Sequence, residues 1–298
     1  MIYFDHNATT PVDDKVLEAM LPFLAKFYGN PSSLYKQGRL VRSAIDSARE
    51  QVAALIGVQP AQVIFTSGGT EANNLALTTL NPSARLAISA IEHPSISEPA
   101  EAFAKQGHQL SSIGVDQNGL VTQDAIDAAI QSKPALVSVM LANNETGVIQ
   151  DIAGFVPQLR DKGIIVHTDA VQALGKVPVD FKRLGVNMMS LSSHKIYGPK
   201  GCGALIIDKT VTLKPLQLGG GQELGHRAGT ENVPSIIGFG KAAELTKSEL
   251  AQRTAHLLKL RNLLEDRLMA IPGIGIFAKD VERLPNTVQF GIEGMDGE

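Results

Sequence analysis

Short apolar, β-branched runs alternate with amphipathic stretches along most of this chain. Runs of the first kind occupy residues 63–65, 86–90, 136–141, 164–167, 188–191 and 204–207 and read as buried strands. Between them the apolar positions fall at helical spacing. Val41, Ile45, Ala48, Val52 and Leu55 form one stripe of this kind. The alternation predicts an α/β fold, a mostly parallel sheet covered by helices, with ligands beyond the carboxyl ends of the strands.

After Asn232-Val233-Pro234 the pattern changes. A long helical region runs to about residue 270, with Leu257, Leu260, Leu264 and Leu268 on one face, and Pro272-Gly273 ends it. A last strand is expected at 287–292, with Val288, Phe290 and Ile292 turned inward. The simplest division is a large α/β domain over residues 1–233 and the start of a smaller α+β domain over 234–298, with the first residues of the chain as candidates to join the smaller one. One strand leaves its edges unpaired, and a leucine stripe needs a sheet to cover. The smaller unit therefore reads as incomplete.

Composition narrows the function. With 298 residues, 44% of them hydrophobic, the chain can bury a large core. A net charge of −3 gives no electrostatic case for nucleic acid or an anionic membrane. No apolar run reaches membrane-spanning length, and the opening MIYFDHNATT lacks the parts of a signal peptide. A single cysteine excludes an internal disulfide and a multi-cysteine metal cluster. These features fit a soluble cytoplasmic enzyme with no metal site.

The chemistry-bearing residues stand at the ends of the apolar runs. In LSSHKIYGPKGCG (191–203), Lys195 sits where a buried strand gives way to a tight turn. A lysine there is costly unless its amine is used. In FTSGGTEANN (65–74), Gly68 and Gly69 leave backbone N–H groups open to an anion at a helix start, and Thr70 adds a hydroxyl. An ordinary capped helix has the same pattern. HTDAVQ (167–172) puts Asp169 at a strand terminus, as a helix cap or as a partner for a protonated ring nitrogen. LANNETG (141–147) carries Asn143 and Asn144, turn formers or ligand amides, and SAIEHP (89–94) places His93 after a strand. LGGGQELGHRAGTEN (218–232) lacks the strand–helix context of a dinucleotide site and reads as a mobile loop carrying Arg227 and Thr230. Together these ends offer an anion cradle, an imidazole, an amide, a carboxylate and an amine. Pyridoxal 5′-phosphate is one ligand that needs the whole set, with Lys195 forming a Schiff base to its aldehyde.

On YFDHNATTP (3–11), GNPSS (29–33), FTSGGTEANN, EHPS (92–95), NNETGVIQ (143–150), HTDAVQ, SSHKIYGPKG (192–201), GGGQE (219–223), RAGTEN (227–232) and LPNT (284–287), the chain resembles the class V pyridoxal-phosphate family. It is most similar there to cysteine desulfurases of the NifS/IscS type. The resemblance covers essentially the whole sequence and implies a fold type I large domain and a homodimer. By it, Lys195 is the Schiff-base lysine and moves the substrate α-proton, and Asp169 pairs with the pyridinium nitrogen. His93 stacks on the ring and shuttles a proton. Asn144 and Gln172 reach the phenolic oxygen, and Gly69, Thr70, Ser192 and His194 hold the phosphate. Thr230 serves the neighbouring subunit's phosphate site. The implied reaction takes L-cysteine to L-alanine and leaves sulfur as a persulfide on an enzyme cysteine, which passes it to an iron–sulfur scaffold or other sulfur-acceptor protein.

Two departures from the family pattern bear on that expectation. Tyr35 stands where the family's GNPSSxHxxGR has a histidine, and the family's sulfur-accepting cysteine and carboxylate-binding arginine fall downstream of LPNT, past the last residue here. Cys202, between Gly201 and Gly203, reads as a small packing residue. A selenocysteine lyase, another class V lyase or aminotransferase, and a non-catalytic homologue are the alternatives.

Overall fold

The structure, a computed structural model, describes residues 2–81 and 84–295. Asp13 caps the first helix, α1 (Asp14–Ala25), by accepting the Lys15 N–H. The expected stripe forms α2 (Lys36–Ile56). It buries Val41, Ile45, Ala48 and Val52 but ends on Ile56 rather than Leu55, which is only partly buried. A step of four residues from Val52 keeps the helical phase better than a step of three. Gly57, at φ +74°, closes the helix in the left-handed region.

There follow β1 (Val63–Thr66), α3 (Gly69–Leu77), β2 (Arg85–Ser89), α4 (Pro94–Lys105), β3 (Gln109–Ile113), α5 (Gln123–Gln131), β4 (Leu136–Ser138) and α6 (Ile152–Asp161). Then come β5 (Ile165–Asp169), α7 (Phe181–Leu184), β6 (Met188–Ser192) and β7 (Gly203–Ile207). The seven strands form one sheet in the order β1-β7-β6-β5-β4-β2-β3. β7 runs antiparallel to both its neighbours, and the other pairs are parallel. Along β1, Val63 and Phe65 join one apolar cluster and Ile64 the other. The sheet is thus buried on both faces, as a helix-covered parallel sheet must be.

Three details differ from the sequence reading. β3 was not expected. It is the edge strand, and of its residues only Ile113 is buried, so it has no apolar run to betray it. β4 stops at Ser138, although 139–142 remain buried in the chain that leaves it. β5 instead runs on through Asp169, which makes that carboxylate the last residue of a strand.

The chain ends in α8 (Val233–Met269), β8 (Ile274–Ile276) and β9 (Phe290–Ile292). The first half of α8 packs on α2. A Cβ at Gly240 would lie 2.6 Å from Ala48 Cα, so only glycine allows that approach. Farther on, Leu260 and Leu264 are about half exposed. The single strand expected at 287–292 shortens to β9 and pairs antiparallel with β8, whose three residues are too short a run to read in advance. Phe290 and Ile292 do not point inward as expected. They are 44% and 39% exposed, because the two-stranded sheet turns that face to solvent. Among the described residues no helix is long and apolar enough to cross a membrane.

Candidate active site

The carboxyl ends of β5 and β6 and the starts of α3 and α4 surround a cavity of about 230 Å³. Gly69, Thr70, His93, Asn144, Asp169, Gln172, Ser192, His194 and Lys195 all line it. Thr230 does not. It lines a separate recess of about 160 Å³ with Ser67, Glu223 and Arg227.

At one end is an anion cradle. The chain turns through Gly68 into α3 while lying directly on the start of β7. A Cβ on Gly203 would meet the carbonyl carbon of Gly68 and the Leu191 carbonyl oxygen, both at 2.6 Å. That contact presents the first N–H groups of α3 to the cavity. Ser192 Oγ is buried beside them with no hydrogen-bond partner. Across the cradle, His194 Nδ1 meets Thr9 Oγ1 at 3.1 Å. Burial, then the charges of Lys195 and Lys200, push the His194 imidazole down to about 4, so it is neutral at neutral pH. The glycine-rich segment expected to be mobile is tied to α3, because Arg227 Nε donates to Glu71 Oε1 at 2.8 Å. Burial pushes the Glu71 carboxyl up, but bonds from Arg227 and Ser67 outweigh it and hold the group below its ordinary value.

Asp169 stands farther in, 5% exposed. It accepts Asn73 Nδ2 at 2.7 Å and the Val171 N–H at 2.9 Å. Burial raises its carboxyl above the ordinary value, and these bonds with the charges of His93 and Lys195 oppose the rise. Such a carboxylate favours a cationic group in the cavity. The sequence reading missed Asn73, which lies one helical turn after Gly69 and so on the same face of α3. Asn73 also donates to Ser95 Oγ at 2.8 Å. The Ser95 N–H in turn donates to His93 Nδ1 at 3.1 Å. A backbone N–H can only donate, so the neutral His93 ring carries its proton on Nε2.

Lys195 ends a 3₁₀ turn, Ser193–Lys195, that follows β6 directly. Its Nζ donates to the main-chain oxygens of Asn7 and Ala8, the latter at 2.9 Å. Burial lowers the amine below the ordinary lysine value, against the pull of Asp169 and Asp5. The N-terminal segment is latched to this turn. The Thr10 N–H donates to His194 O at 3.0 Å, and the Tyr197 N–H donates to Thr10 Oγ1 at 2.9 Å. These bonds hold Tyr197 at φ +66°, a conformation a tyrosine adopts only under constraint.

Two residues beside Lys195 escaped the sequence reading as site residues. Asn7 lay inside a quoted motif, whereas Lys176 follows a turn glycine and looks like surface. Lys176 is 5% exposed. Their hydrogen bonds alter one expectation. Gln172 donates to Asn7 O at 3.0 Å and accepts Lys176 Nζ at 2.7 Å, while Asn144 donates to Glu145 Oε1 at 2.6 Å. The amides expected at a ring oxygen are thus committed to protein partners in this structure.

Lys195 also borders a second, larger cavity of about 880 Å³, walled by Tyr3, Phe4, Leu257, Leu260, Leu264 and Val288. Cys202 is 1% exposed. Burial, then the charge of Glu223, pushes its thiol well up, which removes it as a nucleophile. Tyr35 precedes α2 and is 60% exposed.

An anion cradle, a buried carboxylate and a desolvated amine at the carboxyl edge of a mostly parallel sheet define a cofactor-dependent α/β enzyme of the aminotransferase kind. The class-V aminotransferase family matches residues 2–298, and the chain belongs to that family. It is 41% identical, over 303 aligned residues, to a cysteine desulfurase of Nostoc sp., a match covering all of this chain and 76% of that one. Among solved structures it is similar to a NifS-like protein, with a TM-score of 0.95 and 38% identity over 99% of this chain and 83% of the other. It is also similar to SspA in complex with cysteine, with a TM-score of 0.88 and 32% identity over 98% of this chain and 84% of that one.

The family implies pyridoxal 5′-phosphate, and the residues present fit it. The partnerless Ser192 hydroxyl and the start of α3 suit a phosphate. The buried Asp169 suits a protonated ring nitrogen, and the Lys195 amine suits an aldehyde.

Proposed function

We propose that the chain holds pyridoxal 5′-phosphate in the 230 Å³ cavity and desulfurates L-cysteine there. The observation that carries the reading is that Ser192, Asp169 and Lys195 line this one cavity, each with a demand the cofactor answers. The cysteine complex of a similar protein supports the substrate.

When bound, the cofactor supplies an aldehyde and a ring that draws electrons from the substrate Cα. The α3 N–H groups from Gly69 and Thr70, with Ser192 and His194, bind the phosphate. Asp169 keeps the ring nitrogen protonated, steadied by Asn73. His93 covers the ring and moves a proton from Nε2, the nitrogen not engaged by Ser95. Lys195 takes the Cα proton and returns it. Gln172 and Asn144 orient the ring oxygen once released from Asn7 and Glu145. The C–S bond of cysteine breaks, carbon takes a proton to give L-alanine, and sulfur joins an acceptor thiol as a persulfide. Buried Cys202 is not that thiol. By the family pattern that thiol is an enzyme cysteine, which hands the sulfur on to an iron–sulfur scaffold or other sulfur-acceptor protein. We read the enzyme as a cytoplasmic homodimer in which Thr230 serves the neighbouring subunit's phosphate. We assign residues 1–233 to the cofactor domain and 234–298 to a smaller one.

Purified protein should take up pyridoxal phosphate with a visible absorbance band that Lys195→Ala abolishes. With a reducing thiol as acceptor it should release alanine from cysteine. No band in the wild-type chain would overturn the cofactor reading. Alanine from selenocysteine but not from cysteine would make the enzyme a selenocysteine lyase.

A further inference from the structure

The chemistry assigned above uses His93 but not the acid beside it. Glu92 lies in the turn between β2 and α4, and its Oε1 accepts Ser89 Oγ and the Met140 N–H, both at 2.6 Å. Ser89 is the last residue of β2, and Met140 lies two residues beyond β4. One carboxyl oxygen therefore staples the exits of two paired strands. A second link runs alongside, where Asn143 Nδ2 donates to Ile91 O at 3.3 Å. Asn143 Oδ1 also accepts the N–H groups of Glu145 and Thr146, each at 2.9 Å, and so builds the bend that presents Asn144. Both stapled segments reach the cofactor cavity. His93 comes from one, Met140 and Asn144 from the other, and all three line it. Glu92 has no place in that lining. Its Oε2 is buried with no hydrogen-bond partner among the described residues, a cost without return in stability.

We propose that Glu92 is a positioning residue for His93. By bridging Ser89 to the Met140 N–H, it fixes the imidazole relative to Met140 and Asn144. The Ser95 N–H ties the same ring to α4 through Nδ1. Glu92 supplies the tie to the chain that leaves β4. The proposal rests on the reading of His93 as the residue that covers the cofactor ring.

The chemistry of the staple suits this place. Burial raises the Glu92 carboxyl to about 8, with the charge of Asp169 adding to the rise and the Ser89 and Met140 bonds opposing it. At neutral pH it is mostly an un-ionised acid. It therefore holds two donors without setting a second negative charge beside Asp169.

The test is a double-mutant cycle read on cofactor affinity. The full chain, freed of cofactor, is titrated with pyridoxal phosphate at neutral pH and followed by its absorbance. His93→Ala should weaken binding by about tenfold, the worth of a stacked ring. Glu92→Met keeps the bulk but not the acceptor. It should weaken binding by about fivefold when His93 is present, and by less than about twofold once His93 is alanine. Glu92→Ala should repeat that pattern, which guards against a misfolded Met variant. Glu92→Gln keeps the acceptor and should stay within about twofold of the wild type. A residue that merely stabilised the fold would cost the same in both backgrounds. Losses equal in the two backgrounds, including no loss in either, or a Gln variant as weak as the Met variant, would overturn the proposal and leave the role of His93 standing. If His93→Ala itself leaves binding unchanged, the reading of His93 fails and the proposal falls with it.

Discussion

A buried hydroxyl without a partner costs about 1–3 kcal/mol, and Ser192 carries one at the wall of the site. Ser192→Ala should therefore leave the cofactor-free chain at least as stable in thermal melts, yet weaken pyridoxal phosphate by about tenfold in a spectroscopic titration. A purely structural serine would show the opposite pattern. Asp169→Asn keeps the shape but loses the charge and turns an amide toward Asn73, which is itself a donor here. It should lower kcat/KM for cysteine by about 10²–10³ with little change in the fold by circular dichroism. Cys202→Ala should leave alanine formation within twofold or so, since a buried, protonated thiol transfers nothing. Lys195, Asp169 and His93 were legible in the sequence because each interrupts or follows an apolar run where polar groups are expensive. Asn73, Asn7 and Lys176 were not, because an amide on a helix and a lysine after a turn glycine match ordinary surface patterns.

The elements that carry these residues are held by close backbone contacts rather than by large side chains. Gly203 shows this best. A Cβ added there would lie 2.6 Å from the Gly68 carbonyl carbon and from the Leu191 oxygen, both backbone, so the methyl group has nothing flexible to displace. Gly203→Ala should force the cradle off the start of β7, destabilise the chain by about 1–3 kcal/mol in chemical denaturation and weaken cofactor binding beyond that of a distant core variant of equal stability. Equal binding in the two would show that the contact is only structural. At this scale the interior strands were legible, since burial on both faces writes an unbroken apolar run. Edge strands were not. β3 reads Gln-Leu-Ser-Ser-Ile with its polar groups in contact with solvent, and β9 carries apolar residues on an exposed face.

Across the whole molecule, three buried titratable groups make stability depend on pH in opposing directions. His167 is fully buried between Ser138 and Ser190, at 2.9 Å from each hydroxyl, and burial pushes it down to about 3. Between about 3 and its ordinary 6.5, the unfolded chain binds the extra proton, so this group adds stability as pH rises. Glu92 behaves oppositely. It accepts Ser89 Oγ and the Met140 N–H, both at 2.6 Å, while Oε2 has no partner. Burial, with Asp169 also raising it, brings it up to about 8. From its ordinary 4.5 to about 8 the folded chain binds the extra proton, so its contribution is full at low pH and is lost as pH rises. Lys176, brought down to about 7, adds stability from there toward its ordinary 10.5. Between 4.5 and 6.5 the histidine and the glutamate oppose each other, which flattens the wild-type profile. Glu92→Gln keeps an acceptor for Ser89 and Met140 but removes the proton. Denaturant unfolding of cofactor-free protein, from pH 4.5 to 8, should then show the variant gaining on the wild type by about 1.4 kcal/mol per pH unit. Parallel curves for the two chains would mean that Glu92 is ionised in the folded state and that Oε2 has found a cationic partner. A gap that closes with rising pH would reverse the sign and exclude a neutral acid beside Asp169.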